Sequence, residues 1–198
     1  AILSVGTLVL FMILSFTAPA VVAYFTIAIS AYWFFKTLFL TIHLHHNVKR
    51  LKHHQALNWK ERLKNLHHED IVHIVLLPFY KEPYEVLKES VEAIARSHYD
   101  LKRVSVVFAV EARAGNEAKN IAERLVKEYR STFLECIVTV HPEGLQGEIP
   151  GKGSNIAYAA REATKLIADR HHLSYERVLV SAFDSDTVVY PDYFACLT

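Results

Sequence analysis

The stretch RVLVSAFDSD, residues 177–186, decides the fold class, because an apolar run ends there in two carboxylates. The run from Val178 to Phe183 is too short for a helix and β-branched at its start, which predicts a strand buried on both faces. Asp184 and Asp186 then follow where this strand must leave the sheet. Like charges this close repel each other unless a cation lies beside them. A solvated turn is the alternative, and the position at a strand end favours a divalent-cation site.

Segments typical of strands and helices alternate from residue 71 to residue 198. The apolar runs 71–77, 104–110 and 134–140 predict three further strands, and helical spacing of apolar residues fills the intervals between the strands. Ser154 is the predicted N-cap of the helix that runs through Ile167. This order predicts an α/β fold with a mostly parallel sheet and helices on both faces.

Polar residues follow three of the predicted strands, at the edge where parallel sheets bind ligands. They are Tyr80 and Glu82 after the first strand, Glu111 and Arg113 after the second, and Asp184 and Asp186 after the fourth. Three separate strands that deliver acidic or polar side chains to one edge predict a cation-dependent site for a phosphorylated ligand.

Lys152 lies in a glycine-containing loop, residues 147–153, which superficially resembles a phosphate-binding loop. The Walker A pattern fails, because Gln146 stands where its first glycine belongs and Gly153 stands where its Ser or Thr belongs. Two interpretations remain. Lys152 either reaches a phosphate beside a helix N-terminus or is a solvated loop lysine.

The first 70 residues have the composition of a membrane anchor. No charged residue and no histidine occurs before Lys36, and residues 1–17 and 20–42 are each predicted to form a transmembrane helix, the first of them cut short. A signal peptide is the rival interpretation, but its basic leading region is missing. Residues 43–70 form a basic juxtamembrane segment suited to anionic lipid headgroups. Basic flanks stay inside, so we expect a multi-pass protein of the cell (inner) membrane with residues 71–198 cytoplasmic.

The cysteines and histidines give little indication of a disulfide or a metal site. Cys136 and Cys196 are the only cysteines, which predicts no disulfide framework and agrees with a reducing cytoplasm. The histidines between residues 43 and 68 are more simply surface residues than metal ligands, because they have no cysteine and few acidic companions. We expect no nucleic-acid partner.

Three motifs in order resemble the family 2 glycosyltransferases, especially the membrane-bound cellulose and hyaluronan synthase type. They are Pro78-Phe79-Tyr80-Lys81-Glu82, Lys152-Gly153-Ser154-Asn155 and Asp184-Ser185-Asp186, and the resemblance covers about Val72 to Thr198. It implies an incomplete GT-A-like (Rossmann-like) fold behind two transmembrane helices. It also implies a nucleotide-sugar donor, usually a UDP-sugar, and inverting transfer to a glycan or lipid acceptor at the cytoplasmic membrane face.

The resemblance also implies roles for individual residues. Mg²⁺ or Mn²⁺ would bind Asp184 and Asp186, and the nucleotide-sugar would contact Pro78, Tyr80, Glu82, Glu111, Lys152, Asn155 and Asp184. Two positions depart from the family, which usually has Asp at Glu111 and Asn at Lys81. The general base is expected beyond Thr198, so this chain alone is expected to be inactive. A sugar-phosphate nucleotidyltransferase and an inactive nucleotide-binding membrane homologue are the alternatives.

Overall fold

The computed structural model describes residues 2–198, and Ala1, the first residue of the predicted span 1–17, lies outside them. The chain divides into two compact units, Ala1–Leu57 and Asn58–Thr198. This boundary separates the apolar N-terminal helices from the segment that contains the sheet.

The N-terminal unit consists of two helices, α1 (Ile2–Thr17) and α2 (Pro19–Ala56). The break falls at Ala18, whose φ of −143° and ψ of 61° leave the helical region, and Pro19 then starts α2 as its first residue. Phe11 of α1 and Phe25 of α2 pack with ring centroids 5.6 Å apart. The two predicted apolar segments are therefore separate helices.

Only α2 among the described helices is long and apolar enough to cross a membrane, judged by length and composition. Its 38 residues extend about 57 Å, against about 30 Å for a hydrocarbon core. Helix α1 is apolar but has only 16 residues. The predicted boundary after residue 42 is not a helix end, since α2 continues to Ala56 through Lys49, Arg50 and Lys52, which are good helix formers.

The second unit begins with a short helix, α3 (Trp59–Leu63), and continues as alternating strands and helices. The strands are β1 (Val72–Phe79), β2 (Val104–Glu111), β3 (Glu135–His141) and β4 (Val178–Ala182). The helices are α4 (Tyr84–Ala95), α5 (Asn116–Tyr129), α6 (Lys152–His171) and α7 (Tyr193–Leu197). The sheet has the order β3-β2-β1-β4, and every neighbouring pair is parallel. The predicted α/β class with a parallel sheet is confirmed.

Both faces of the two central strands are buried, and alternate residues of β1 face different helices. Val75, Leu77 and Phe79 pack in one apolar cluster with residues of α4 and α5, whereas Ile74 and Leu76 pack in another. That second cluster contains Ala159, Ala163 and Ile167 of α6. Fully burying one such apolar side chain stabilises the fold by about 1.5–3 kcal/mol. The two clusters therefore hold β1 firmly between the helices, and this fixes the position of its carboxyl end.

The prediction that the strand before Asp184 is buried on both faces is wrong. β4 lies at the edge of the sheet, and Val180 in its middle keeps 46% of its surface exposed. β1 pairs with one side of β4, and among residues 2–198 no strand pairs with the other side. An apolar run predicts a strand but does not reveal how many neighbours the strand has.

Candidate functional site

The eight residues predicted from the sequence as site residues line one cleft of about 450 Å³ at the carboxyl ends of β1, β2 and β4. Its wall also contains Phe79, Val86 and Ser185. The eight are Pro78, Tyr80, Glu82, Glu111, Lys152, Asn155, Asp184 and Asp186. The fold thus gathers them from four separate segments, and their roles as ligands stay predictions.

The turn after β4 directs its two carboxylates outward. Phe183 N–H still donates to Leu76 O at 3.0 Å, and Thr187 N–H donates to Asp184 O at 3.0 Å, which closes the turn. Asp184 and Asp186 are exposed, whereas Ser185 between them is buried. The two carboxylates are therefore available to a ligand in the cleft.

Lys152 is the first residue of α6 and forms an ion pair with Asp184. The predicted N-cap at Ser154 is wrong, since the cap position is Gly151, three residues earlier, and the helix begins at Lys152. The Ser154 hydroxyl instead donates to Ile149 O at 3.0 Å and Gly151 O at 2.8 Å. Gly151 has no side chain with which to cap this end of the 20-residue helix, so the N-terminal N–H groups of the helix can meet an anion.

Asn155 lies in the wall of the cleft and is almost fully buried, with 1% of its surface exposed. Its Nδ2 donates to Ala109 O at 2.8 Å, which fixes the orientation of the amide. Its Oδ1 has no hydrogen-bond partner among the described residues. An unsatisfied buried acceptor costs about 1–3 kcal/mol, and a ligand N–H or O–H would remove that cost.

Glu111, where the resemblance expects Asp, is buried and accepts a hydrogen bond from Arg113 Nε. The Arg113 guanidinium carbon lies 5.1 Å from the centroid of the Tyr80 ring, and Lys81 Nζ lies 5.1 Å from the same centroid. The Glu111 charge is therefore balanced by a neighbour two residues along the chain. Tyr80 gives the rim of the cleft an aromatic surface bordered by cations.

Glu82 is held by several donors. Burial raises the pKa of this carboxyl, but hydrogen bonds from the backbone N–H groups of Tyr80, Glu82 and Lys81 and from the Ser185 hydroxyl outweigh burial. The net result is a lowered pKa, so Glu82 is ionised at neutral pH. Ser185 was not predicted as a functional residue, because the middle position of an Asp-x-Asp triplet carries no charge.

The loop between β3 and α6 is held against the end of β3 by a buried histidine, His141, which was not predicted as functional. His141 Nε2 lies 2.8 Å from Glu148 Oε2, and Arg161 lies 3.3 Å from the other Glu148 oxygen. The hydrogen bond with His141 lowers the pKa of Glu148. These contacts hold the loop that leads to Lys152, and they border a second cavity of about 230 Å³ that shares Glu111 with the cleft.

The donor set fits a hard divalent cation in chemical type but not as a complete protein cage. Asp184 and Asp186 offer oxygen ligands, yet no group of three or more His, Cys, Asp or Glu side chains within residues 2–198 is arranged to hold a metal ion. A cation held here would therefore take its remaining ligands from water and from a bound phosphate, as Mg²⁺ commonly does.

Comparison with known proteins gives a limited result. No protein-family model matches the chain, and a search of curated proteins finds no match. Among solved structures, the chain is similar to the mannosyltransferase PcManGT from Pyrobaculum calidifontis in complex with GDP-Man and Mn²⁺, with a TM-score of 0.42 and 19% sequence identity. The alignment covers 69% of this chain and 36% of that one, so the chain spans about a third of its length. A likeness at this level assigns no function.

Proposed function

We propose that residues 71–198 form the donor-binding part of a membrane glycosyltransferase that takes its sugar from a nucleotide-sugar. The observation that carries the proposal is the single cleft in which two carboxylates, a lysine, an uncapped helix N-terminus and an unsatisfied buried amide oxygen meet. A nucleoside diphosphate combines anionic phosphates with a polar nucleoside. The phosphates complement the lysine and the helix N-terminus, and the nucleoside complements the buried amide oxygen.

The phosphate side of the cleft is the end of α6 with Lys152. The helix N-terminus carries a partial positive charge, and the ammonium of Lys152 is beside it. A divalent cation on Asp184 and Asp186 would compete with Lys152 for Asp184 and leave its ammonium for a phosphate oxygen. That cation would supply positive charge to the diphosphate leaving group.

The nucleoside side of the cleft is formed by Tyr80, Glu111 and Asn155. Tyr80 offers an aromatic face, and Asn155 Oδ1 offers a buried acceptor for a hydroxyl or a base N–H. Glu111 is held in place by Arg113. The family resemblance favours UDP as the nucleotide and inversion at the sugar, and it implies a general base beyond Thr198.

The anchor of the enzyme is the apolar helix α2. With it we propose an integral protein of the cell (inner) membrane whose residues 71–198 face the cytoplasm, because the basic residues Lys49, Arg50 and Lys52 follow the apolar stretch. The acceptor, a glycan or a lipid, would then meet the donor at the cytoplasmic membrane face.

Isothermal titration calorimetry of the 198-residue chain in detergent tests the proposal. We expect a UDP-sugar to bind with Mn²⁺ and to bind much more weakly with a chelator, while uridine binds weakly in both. A parallel transfer assay should give no product, since the base is assigned outside this chain. Absence of nucleotide binding under all these conditions would refute the proposed function.

A further inference from the structure

Glu82 and Ser185 connect two segments of the cleft that are far apart in sequence. Glu82 Oε2 accepts from the backbone N–H groups of Tyr80 at 2.6 Å and Lys81 at 2.9 Å. Its other oxygen, Oε1, accepts from the Ser185 hydroxyl at 3.3 Å. One carboxylate thus ties the turn after β1 to the turn after β4.

Ser90 holds the same turn from a second side. Its hydroxyl, fully buried within helix α4, donates to Ser185 O at 2.7 Å. Ser185 therefore donates through its side chain to Glu82 and accepts through its carbonyl from Ser90. A residue bonded at both ends cannot rotate freely, and its neighbours in the chain are Asp184 and Asp186.

The hydrogen bonds of Glu82 also bear on whether Glu82 itself contacts the nucleotide-sugar. Both of its oxygens already accept from the protein, and these three bonds use most of the positions at which a carboxylate accepts. Glu82 is thus better placed to orient other groups than to bind a ligand.

We propose that Glu82 is a positioning residue, which acts through Ser185 and with Ser90 to hold the carboxylates of Asp184 and Asp186 in the orientation that a divalent cation requires. The inference rests on the proposed function, because it takes these two aspartates as the cation ligands. The sequence resemblance implies that Glu82 contacts the nucleotide-sugar. In the proposed role, Glu82 instead positions the turn that carries Asp184 and Asp186.

Two measurements on the full chain in detergent test the positioning role of Glu82 independently of the proposed function. The first is amide hydrogen exchange of residues 183–190 without added ligand, which reports the Thr187 N–H bond to Asp184 O. The second is the affinity for UDP with and without Mn²⁺. The variants are Glu82→Ala, Ser185→Ala and their combination, and Glu85→Ala is the matched control, because Glu85 is an exposed residue of α4.

We expect faster exchange at residues 183–190 in Glu82→Ala and Ser185→Ala and no change in Glu85→Ala. Mn²⁺-dependent UDP affinity should fall about tenfold in each single variant, the scale of a hydrogen bond to a charged group. The double variant should be little worse than Glu82→Ala, because Glu82→Ala already removes the contact that Ser185→Ala removes. Binding of UDP without Mn²⁺ should stay the same, which a general loss of folding would not produce.

Three other results would overturn the inference. Unchanged exchange would show that the turn does not depend on Glu82, whatever UDP does. Equal loss of UDP affinity with and without Mn²⁺ would show that Glu82 contacts the nucleotide directly. Faster exchange in the variants, together with no Mn²⁺-dependent UDP binding by the parent chain, would refute the proposed function. The hydrogen bond between Glu82 and Ser185 would then have only a structural role.

Discussion

His73 makes the stability of the sheet depend on pH. It lies near the start of the central strand β1, fully buried, with its ring against Tyr99 and Phe194. Burial lowers its pKa from 6.5 to about 4. Its Nε2 lies 2.8 Å from Thr198 Oγ1, and its Nδ1 has no hydrogen-bond partner among the described residues, so a proton there would be poorly accommodated.

The sign and the size of the effect follow from these two pKa values. Between pH 6.5 and pH 4 the unfolded chain binds a proton at this position and the folded chain does not, so the free energy of unfolding decreases as the pH falls. From pH 7 to pH 5 the loss is about 2 kcal/mol, and the complete loss well below pH 4 is about 3 kcal/mol.

Urea unfolding followed by the fluorescence of Trp59, in a Trp33→Phe background, measures this dependence. His73→Leu removes the titrating group, so its free energy of unfolding should fall less between pH 7 and pH 5 than that of the parent, by about 2 kcal/mol. His67→Gln is the matched control, since it removes an exposed histidine that lies outside the sheet. Parallel pH profiles of the parent and His73→Leu would refute the reasoning.

Two further predictions concern the phosphate contact and the membrane topology. Lys152→Ala should weaken UDP binding by about 1–3 kcal/mol and uridine binding much less, and calorimetry that finds equal effects would return Lys152 to a solvated lysine. In a chain with Cys136 and Cys196 replaced, an impermeant thiol reagent added to intact cells should label Thr17→Cys but not Lys119→Cys, and labelling of Lys119→Cys would reverse the topology.

The sheet and the grouping of the candidate site residues around one cleft could be predicted from the sequence, because both depend on local patterns. Apolar runs near strand length, separated by helical spacing, define a parallel sheet, and the residues after each strand must then meet at one edge. Tyr80, Glu111 and Asp184 follow three different strands and line one cleft. Cys136, which lies in the apolar run 134–140, is buried in the cluster that contains residues of α4 and α5.

Features that depend on contacts between distant residues could not be predicted. The edge position of β4 depends on which strands pair with it, and the tie from Ser90 to Ser185 spans 95 residues. One signal for Ser90 was present, because it occupies an apolar-face position of α4 beside Val91, and a buried hydroxyl needs a partner. The start of α6 at Lys152 was missed because Ser154 suits an N-cap by residue type alone.

The Mn²⁺ dependence of UDP-sugar binding to Asp186→Asn tests the central claim most directly. The substitution removes a charge and little volume from an exposed side chain, so the fold should be retained. Asp169→Asn is the matched control, because Asp169 is an exposed aspartate on α6, outside the residues that line the cleft. The proposal predicts that Asp186→Asn loses the Mn²⁺-dependent part of the affinity while Asp169→Asn keeps it. Binding that is independent of Mn²⁺ and unchanged in Asp186→Asn would contradict the assignment of this site.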